Sequence, residues 1–265
     1  MKNAKTRHKH DLYQESVQNP EFEAPFLQRV YRAARKKKAT RFQEDFCGTA
    51  VLLSEWVKRN KDGIGRGVDL HAPTLKWGRS QIKKNLNEEQ RSRIDLLEAN
   101  VLDPSDFKPD ITAALNFSYF IFKERPLLKS YFERVREDLA DEGIFVLDIY
   151  GGPEAQKVQE DDPSEREGFF YVWDQAHFNP ITGDYRCHIH FEFEDGGRKK
   201  KAFTYDWRLW TLPEIIDLLR EVGFEEPLVY WEGTDEKTGS GNDEFNVSKV
   251  GDDSDAWIAY VVAPK

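Results

Sequence analysis

The chain has 265 residues, a formal net charge of −9 and 33% charged side chains; such an acidic surface disfavours a protein built to grip nucleic-acid phosphates. Its 13% aromatic content can fill a large core, as one domain or one domain with an insertion. No apolar run reaches membrane-spanning length, Met1 to His10 is basic without an apolar centre, and the distant Cys47 and Cys187 fit no metal spacing, so a cytoplasmic protein with reduced thiols and no membrane partner is expected.

Residues 11–38 read as a helical lead-in. Phe22, Phe26 and Val30 recur every four residues, with Leu27, Tyr31 and Ala34 beside them, so one face is apolar. The run closes on Arg35-Lys36-Lys37-Lys38, whose charges complement the helix dipole. A short extended stretch, 39–43, then leads into Glu44-Asp45-Phe46-Cys47-Gly48-Thr49-Ala50, and a helix is expected over 51–60. Strand, small-residue turn and helix form the first unit of a nucleotide-binding fold. The unpaired N–H groups at a helix start attract an anionic group, and Gly48 leaves room for its approach. About twenty residues on, Val68-Asp69-Leu70 ends a second strand with a carboxylate placed to meet a ribose.

His71-Ala72-Pro73-Thr74 opens a helix running to about residue 87, with Leu75, Ile82 and Leu86 spaced for burial. A third strand over 94–102 ends in Asn100-Val101-Leu102-Asp103, and a fourth over 111–117 runs into Asn116-Phe117-Ser118-Tyr119-Phe120. After a helix over 126–139, the fifth strand, 144–150, is apolar except for Asp148 and ends at Tyr150. Ligands of open α/β sheets lie beyond the carboxyl ends of the strands, which makes Asn116, Ser118 and Tyr119 site candidates. Asp148, a carboxylate beside a buried strand, needs a partner: it either binds substrate or caps a loop.

The alternation then breaks. Residues 153–167, rich in acids, read as a mobile loop, and 169–210 as three antiparallel strands with hairpin signals at Asn179-Pro180 and Asp195-Gly196-Gly197. In the middle strand Cys187, Ile189, Phe191 and Phe193 share one face, and Arg186, His188, His190 and Glu192 the other. His-x-His-x-Glu has ligand spacing, but paired histidines on a polar face are usually solvated, and no metal is expected. Thr211-Leu212-Pro213-Glu214 is a capping box opening a helix that ends at Gly223. Two more strands follow, over 227–231 and 256–263, joined by a polar, glycine-bearing loop.

The corner, the acid after the second strand and the C-terminal half together resemble the class I S-adenosylmethionine-dependent methyltransferases. Their first motif reads acid-x-Gly-x-Gly-x-Gly, often with Cys-Gly-Thr inside. Here Glu44 takes the acidic position and Cys47-Gly48-Thr49 the centre; Phe46 replaces the first glycine and Ala50 the last, so the Phe46 ring must turn away from any ligand. The resemblance covers 40–150 and 211–265. It implies a doubly wound, Rossmann-like seven-stranded α/β sheet with an antiparallel last strand. Around that core, 39–152 and 211–265, it sets a helical lid, 1–38, and an inserted antiparallel β-rich substrate cover, 153–210.

The resemblance also implies S-adenosylmethionine as cofactor and methyl transfer to a small-molecule acceptor by in-line displacement. Cofactor contacts would come from Glu44, Phe46, Cys47 and Gly48 at the corner, Asp69 and Leu70 at the ribose, and Asn100 and Val101 at the adenine. Asn116, Phe117 and Ser118 after the fourth strand, and Tyr13 in the lid, complete the set. Tyr119, His188 and His190 are the candidate bases. Asp148, Tyr150 and Arg208 are the candidates for the substrate. Two other classes share parts of the pattern. An NAD(P)-dependent oxidoreductase would have the turn and the acid, against which stand the missing G-x-G-x-x-G and the antiparallel finish. A non-catalytic interaction protein could keep the fold with Phe46 and Ala50 in the motif.

Overall fold

The computed structural model describes residues 6–235 and 241–265; the start of the basic stretch Met1 to His10 lies outside them, as do residues 236–240 of the polar C-terminal loop. The lead-in is two helices, α1 (Lys9–Val17) and α2 (Pro20–Arg35), where one continuous run was expected. The break is chemical. Asn19 precedes a proline, which disfavours a helical backbone, and its side chain instead accepts the Phe22 N–H at 3.3 Å as the cap of α2. The apolar face of α2 packs on the sheet, with the Phe26 ring 4.5 Å from Tyr260. At its end Arg35 binds the Lys265 carbonyl and the Glu225 carboxylate, both at 3.1 Å, and so ties the lead-in to the chain end.

The central sheet alternates with helices in chain order: β1 (Arg41–Asp45), α3 (Val51–Arg59), β2 (Ile64–Asp69), α4 (Ala72–Asn85), α5 (Glu88–Ser92), β3 (Ile94–Glu98), β4 (Ile111–Ala114), α6 (Arg125–Asp138) and β5 (Ile144–Gly151). After the insertion come α7 (Leu212–Val222), β11 (Leu228–Thr234), β12 (Gly241–Val247) and β13 (Trp257–Pro264). The strand order is β12-β11-β13-β5-β4-β1-β2-β3. β1 to β5 are mutually parallel, and β13 runs antiparallel to both β5 and β11. The chain reverses direction across the sheet between β1 and β4, and that switch point opens a crevice at the carboxyl ends of both strands.

All seven expected core strands are present, and β12 adds an eighth at the edge, inside the stretch read as a loop. Only Phe245 of β12 is buried, its ring edge-on to Tyr260 at 4.8 Å, so the segment carries no alternating pattern to betray a strand.

The insertion is a second sheet of β6 (Gln159–Glu160), β7 (Ser164–Arg166), β8 (Phe169–Phe178), β9 (Asp184–Glu192) and β10 (Arg198–Arg208), in the order β10-β9-β8-β6 with β7 also on β8. The three long strands match the expectation. The acidic stretch 153–167 is not a mobile loop but a short 3-10 turn, Pro153–Gln156, followed by β6 and β7 pairing with β8. Strands of two or three exposed residues satisfy their backbone on a neighbour's edge and need no apolar side chains.

Candidate active site

The corner after β1 is a tight turn with three left-handed residues, Phe46 (φ 57°), Gly48 (φ 52°) and Ala50 (φ 58°). All three occupy places where the motif has glycine, and at the two that are not glycine, Phe46 and Ala50, the backbone keeps the glycine conformation and accepts its steric cost. The Phe46 ring packs on Phe122 and Tyr131, with centroids 5.9 and 5.7 Å away, as the substitution required. Asp69 at the end of β2 braces the turn: its carboxylate accepts the Gly48 N–H at 2.8 Å and the His71 N–H at 2.7 Å. Helix α4 presses close because Gly78 has no side chain; a Cβ there would lie 2.6 Å from the Thr49 carbonyl oxygen. At Gly48 the opposite holds. A Cβ would meet only the Thr74 methyl, at 3.9 Å, and would otherwise project into open space.

Helix α1 crosses above this corner. Gln14 donates to the Thr49 hydroxyl at 2.7 Å, His10 Nε2 lies 3.3 Å from the Thr74 hydroxyl, and the Tyr13 ring packs on Phe203 of the cover at 4.8 Å. Corner, α1 and cover enclose a cavity of about 430 Å³ whose walls include Tyr13, Glu44, Gly48, Asp69, Asn116 and Ser118. Phe46 and Cys47 line it as well. Beside it lies a second cavity of about 340 Å³, walled by Phe117, Tyr150, Tyr171, Trp173 and Trp257. Tyr13, Asn116, Tyr205 and Trp207 border both.

Several expected site residues lie elsewhere. Asp148 does not face either cavity. Its two carboxylate oxygens accept the N–H groups of Asn116 (2.8 Å) and Phe117 (2.9 Å), two consecutive residues at φ 56° and 57°, and so pin the left-handed loop that does face them. Tyr119 is fully buried, donates to the Asp148 carbonyl at 2.9 Å and lines neither cavity; burial holds its hydroxyl well above the usual range. His188 and His190 flank Ile189, which lines the second cavity, and the period of a strand turns them to the far side of the cover. There they are buried, not solvated. His188 Nδ1 meets the Thr204 hydroxyl at 3.0 Å, while His190 accepts the Lys201 N–H on Nδ1 at 2.8 Å and places Nε2 3.1 Å from Asp174.

Glu160 joins His190 and Asp174 in a cluster of metal-ligand type, but the Arg198 guanidinium sits 2.7 Å from Glu160 and supplies the positive charge. Arg208 binds Glu214 at 3.0 Å and the Lys123 carbonyl at 3.2 Å, and covers the Trp210 ring at 3.8 Å. Strand β3 stops at Glu98, short of Asn100, whose side chain accepts the Leu102 N–H at 3.0 Å in a turn. Val101 packs against core residues, Leu70 is 66% exposed, and none of the three lines either cavity. Of the substrate candidates, Tyr150 lines the second cavity, and Asp148 and Arg208 line neither.

The sequence reading missed His10 and Thr74 at the first cavity, the former because α1 shows no amphipathic stripe to orient it. It also missed Glu154, Asp161 and Glu232 at the second, which three separate elements bring together.

The crevice floor is acidic. Glu44 lies at the first cavity with one carboxylate oxygen buried and unpartnered; burial, then the nearby Glu23 of α2, hold its carboxyl well above the usual range. Burial followed by Asp148 pushes Glu23 up to about 8, and burial pushes Asp148 up to about 7. Asp148 accepts two N–H bonds that favour its charged form, so of this pair Glu23 keeps the proton at neutral pH. Asp45, buried but bonded by Tyr131 at 2.8 Å and Gln43 at 2.9 Å, is raised to about 6.

No protein-family model matches this chain, and no curated protein matches its sequence. Solved structures match over nearly the whole length. The amino pentose methyltransferase CalS10 from Micromonospora echinaspora, solved with S-adenosylmethionine bound, superposes with a TM-score of 0.69 at 17% identity, over 100% of this chain and 99% of its own. An S-adenosylmethionine-dependent methyltransferase from Clostridium acetobutylicum gives 0.67 at 15% identity, over 95% and 96%. DesVI from Streptomyces venezuelae gives 0.67 at 16% identity, over 96% and 95%. The chain has the fold of the class I S-adenosylmethionine-dependent methyltransferases.

Proposed function

We propose that this chain is an enzyme that transfers a methyl group from S-adenosylmethionine to a small-molecule acceptor. The observation that carries the reading is the pair of adjoining cavities at the switch point, one built on the Gly48 corner, the other roofed by the cover, with Tyr13, Asn116, Tyr205 and Trp207 between them. The residues present fit the cofactor. Gly48 leaves a cradle that a Cβ would fill, and Glu44, in the wall of the same cavity, has a buried carboxyl oxygen without a protein partner that an ammonium group would satisfy. The carboxylate of Asp69 reaches the same cavity for the ribose hydroxyls. The positive end of the α3 dipole favours the amino-acid carboxylate.

When bound, S-adenosylmethionine supplies a methyl carbon activated by a sulfonium. The chain's part is geometric and electrostatic. The shared collar aligns the acceptor with that carbon on the side opposite sulfur, and such positioning removes several kcal/mol of barrier, of the order of 7 or more at best. The faces of Tyr13, Tyr205 and Trp207 stabilise positive charge passing between the cavities by roughly 0.5–2 kcal/mol each where water is excluded. In this reading residues 1–38 act as lid, 39–152 and 211–265 as cofactor platform, and 153–210 as substrate cover. Neighbours named as methyltransferases of an amino pentose and of sugars favour a small acceptor over a macromolecular one.

Calorimetric titration with S-adenosylhomocysteine tests the reading. Binding is expected for the wild type and a loss of at least tens-fold for Asp69→Ala, since hydrogen bonds to a charged acceptor contribute about 1.5–3 kcal/mol each. Binding of NAD(P) in its place would favour an oxidoreductase, and binding of neither a protein without catalysis.

A further inference from the structure

Resting on the methyltransferase reading, the second cavity also carries information about its acceptor. Its lining includes three carboxylates, Glu154, Asp161 and Glu232, and no lysine, arginine or histidine among the described residues. They arrive from separate places: the turn after β5, the segment between β6 and β7, and β11. The nearby cations stand outside the lining. Lys157 pairs with Glu154 at 3.4 Å, and Arg166 stands over the Tyr171 ring at 5.7 Å. Glu232 accepts the Asp243 N–H at 3.1 Å on one oxygen, and Asp161 takes the Gln159 amide at 3.2 Å; partial burial holds both carboxyls above the usual range. The remaining walls are aromatic. Tyr205 and Trp207 stack at 4.3 Å, Trp173 lies 6.3 Å from Trp207, and Phe117 lies 4.5 Å from Tyr150.

We propose that this cavity takes a small molecule bearing a protonated amine, held among Glu154, Asp161, Glu232 and the aromatic faces, and that its nitrogen is the methyl acceptor. A neutral hydroxyl acceptor gains from one carboxylate only a hydrogen bond, whereas a cation is favoured by the summed charge of all three, and an anionic acceptor is repelled by it. Ring faces favour a cation and also cover the flat side of a sugar or aromatic body that fits about 340 Å³. The chemistry balances. The ammonium gives one proton to a carboxylate at the mouth and thence to water, which frees the nitrogen lone pair. That pair forms the N–C bond as the S–C bond breaks, its electrons stay on sulfur as a neutral thioether, and the positive charge passes to nitrogen among the acidic side chains.

The test is calorimetry with two matched triples, run with and without saturating S-adenosylhomocysteine: tyramine, tyrosol and para-hydroxyphenylacetate; glucosamine, glucose and glucuronate. In at least one triple the amine is expected to bind about tenfold or more tighter than the neutral member, with the acid weakest. Asp161→Asn combined with Glu232→Gln should remove most of that preference and leave the S-adenosylhomocysteine affinity unchanged, which also reports that the variant is folded. Neutral or acidic members binding as tightly as the amines, no amine binding at all, or a preference indifferent to the double substitution would each overturn the proposal. Amine preference without S-adenosylhomocysteine binding would instead sink the methyltransferase reading alone.

Discussion

Gly48 and Glu23 show how single residues set what the crevice can do. A Cβ on Gly48 touches little protein, so Gly48→Ala should cost only the left-handed strain, about 1–2 kcal/mol of stability. The same methyl projects into the cofactor cavity, and S-adenosylhomocysteine affinity should fall by tenfold or more. Parallel denaturation and calorimetry separate the two effects, and an affinity loss no larger than the stability loss would remove Gly48 from the cradle. Glu23 makes a pH prediction whose sign follows from its raised carboxyl. The folded chain holds a proton that the unfolded chain has released between about pH 4.5 and 8, so this residue's contribution to stability declines as pH rises through that window. Glu23→Gln should therefore match the wild type near pH 4.5 and exceed it increasingly up to pH 8. The upper bound is roughly 5 kcal/mol, at about 1.4 kcal/mol for each tenfold change in proton affinity. A stability difference that is flat with pH would show that Glu23 is not the group holding the proton.

Helix α1 is the element on which the first cavity closes, and its docked face includes the buried His10. Burial first, then His8, Lys9 and His71, lower His10 to about 4, while its ring packs on Trp77 at 5.2 Å and Phe203 at 5.7 Å. An undocked α1 binds this proton below about pH 6.5 and the docked one only near 4. Docking is therefore complete above 6.5 and weakens as pH falls through that interval. Amide exchange in residues 9–17 should accelerate from pH 7 to pH 5 after correction for intrinsic rates, and His10→Phe should suppress the pH dependence; equal protection at both pH values would refute it.

How far the elements could be foreseen depends on what each had to bury. The β1 corner was legible because a turn between strand and helix announces itself through small residues and because Asp69 ends its strand. The two candidate histidines lie away from the cavities because alternation on β9 gives two faces without saying which one the cleft sees, and the cavity side proved to be that of Ile189. Asn100 failed because β3 ends two residues earlier and a turn absorbs the side chain. β6, β7 and β12 are edge pairings with almost nothing to bury, so composition alone reads them as loop.

Across the whole molecule the core divides into three parts. Two clusters cover the opposite faces of the main sheet, while the third joins α1 to the cover: Leu12, fully buried, packs with Phe169, Ile189, Phe191 and Phe193. Helix α1 and the inserted sheet therefore pack on each other as well as on the corner, and Ile189 is shared by this small core and the second cavity. Leu12→Ala should remove about 2–5 kcal/mol from that cluster, the usual range for a buried leucine. The loss is expected to fall on a local equilibrium in which α1 leaves the inserted sheet while the main sheet stays folded. Amides of α1 and β9 should lose protection together, those of β4 and β5 should keep theirs, and S-adenosylhomocysteine should bind more weakly to the extent that opening competes with it. Hydrogen exchange in which α1 loosens while β9 is unmoved would mean that lid and cover move independently.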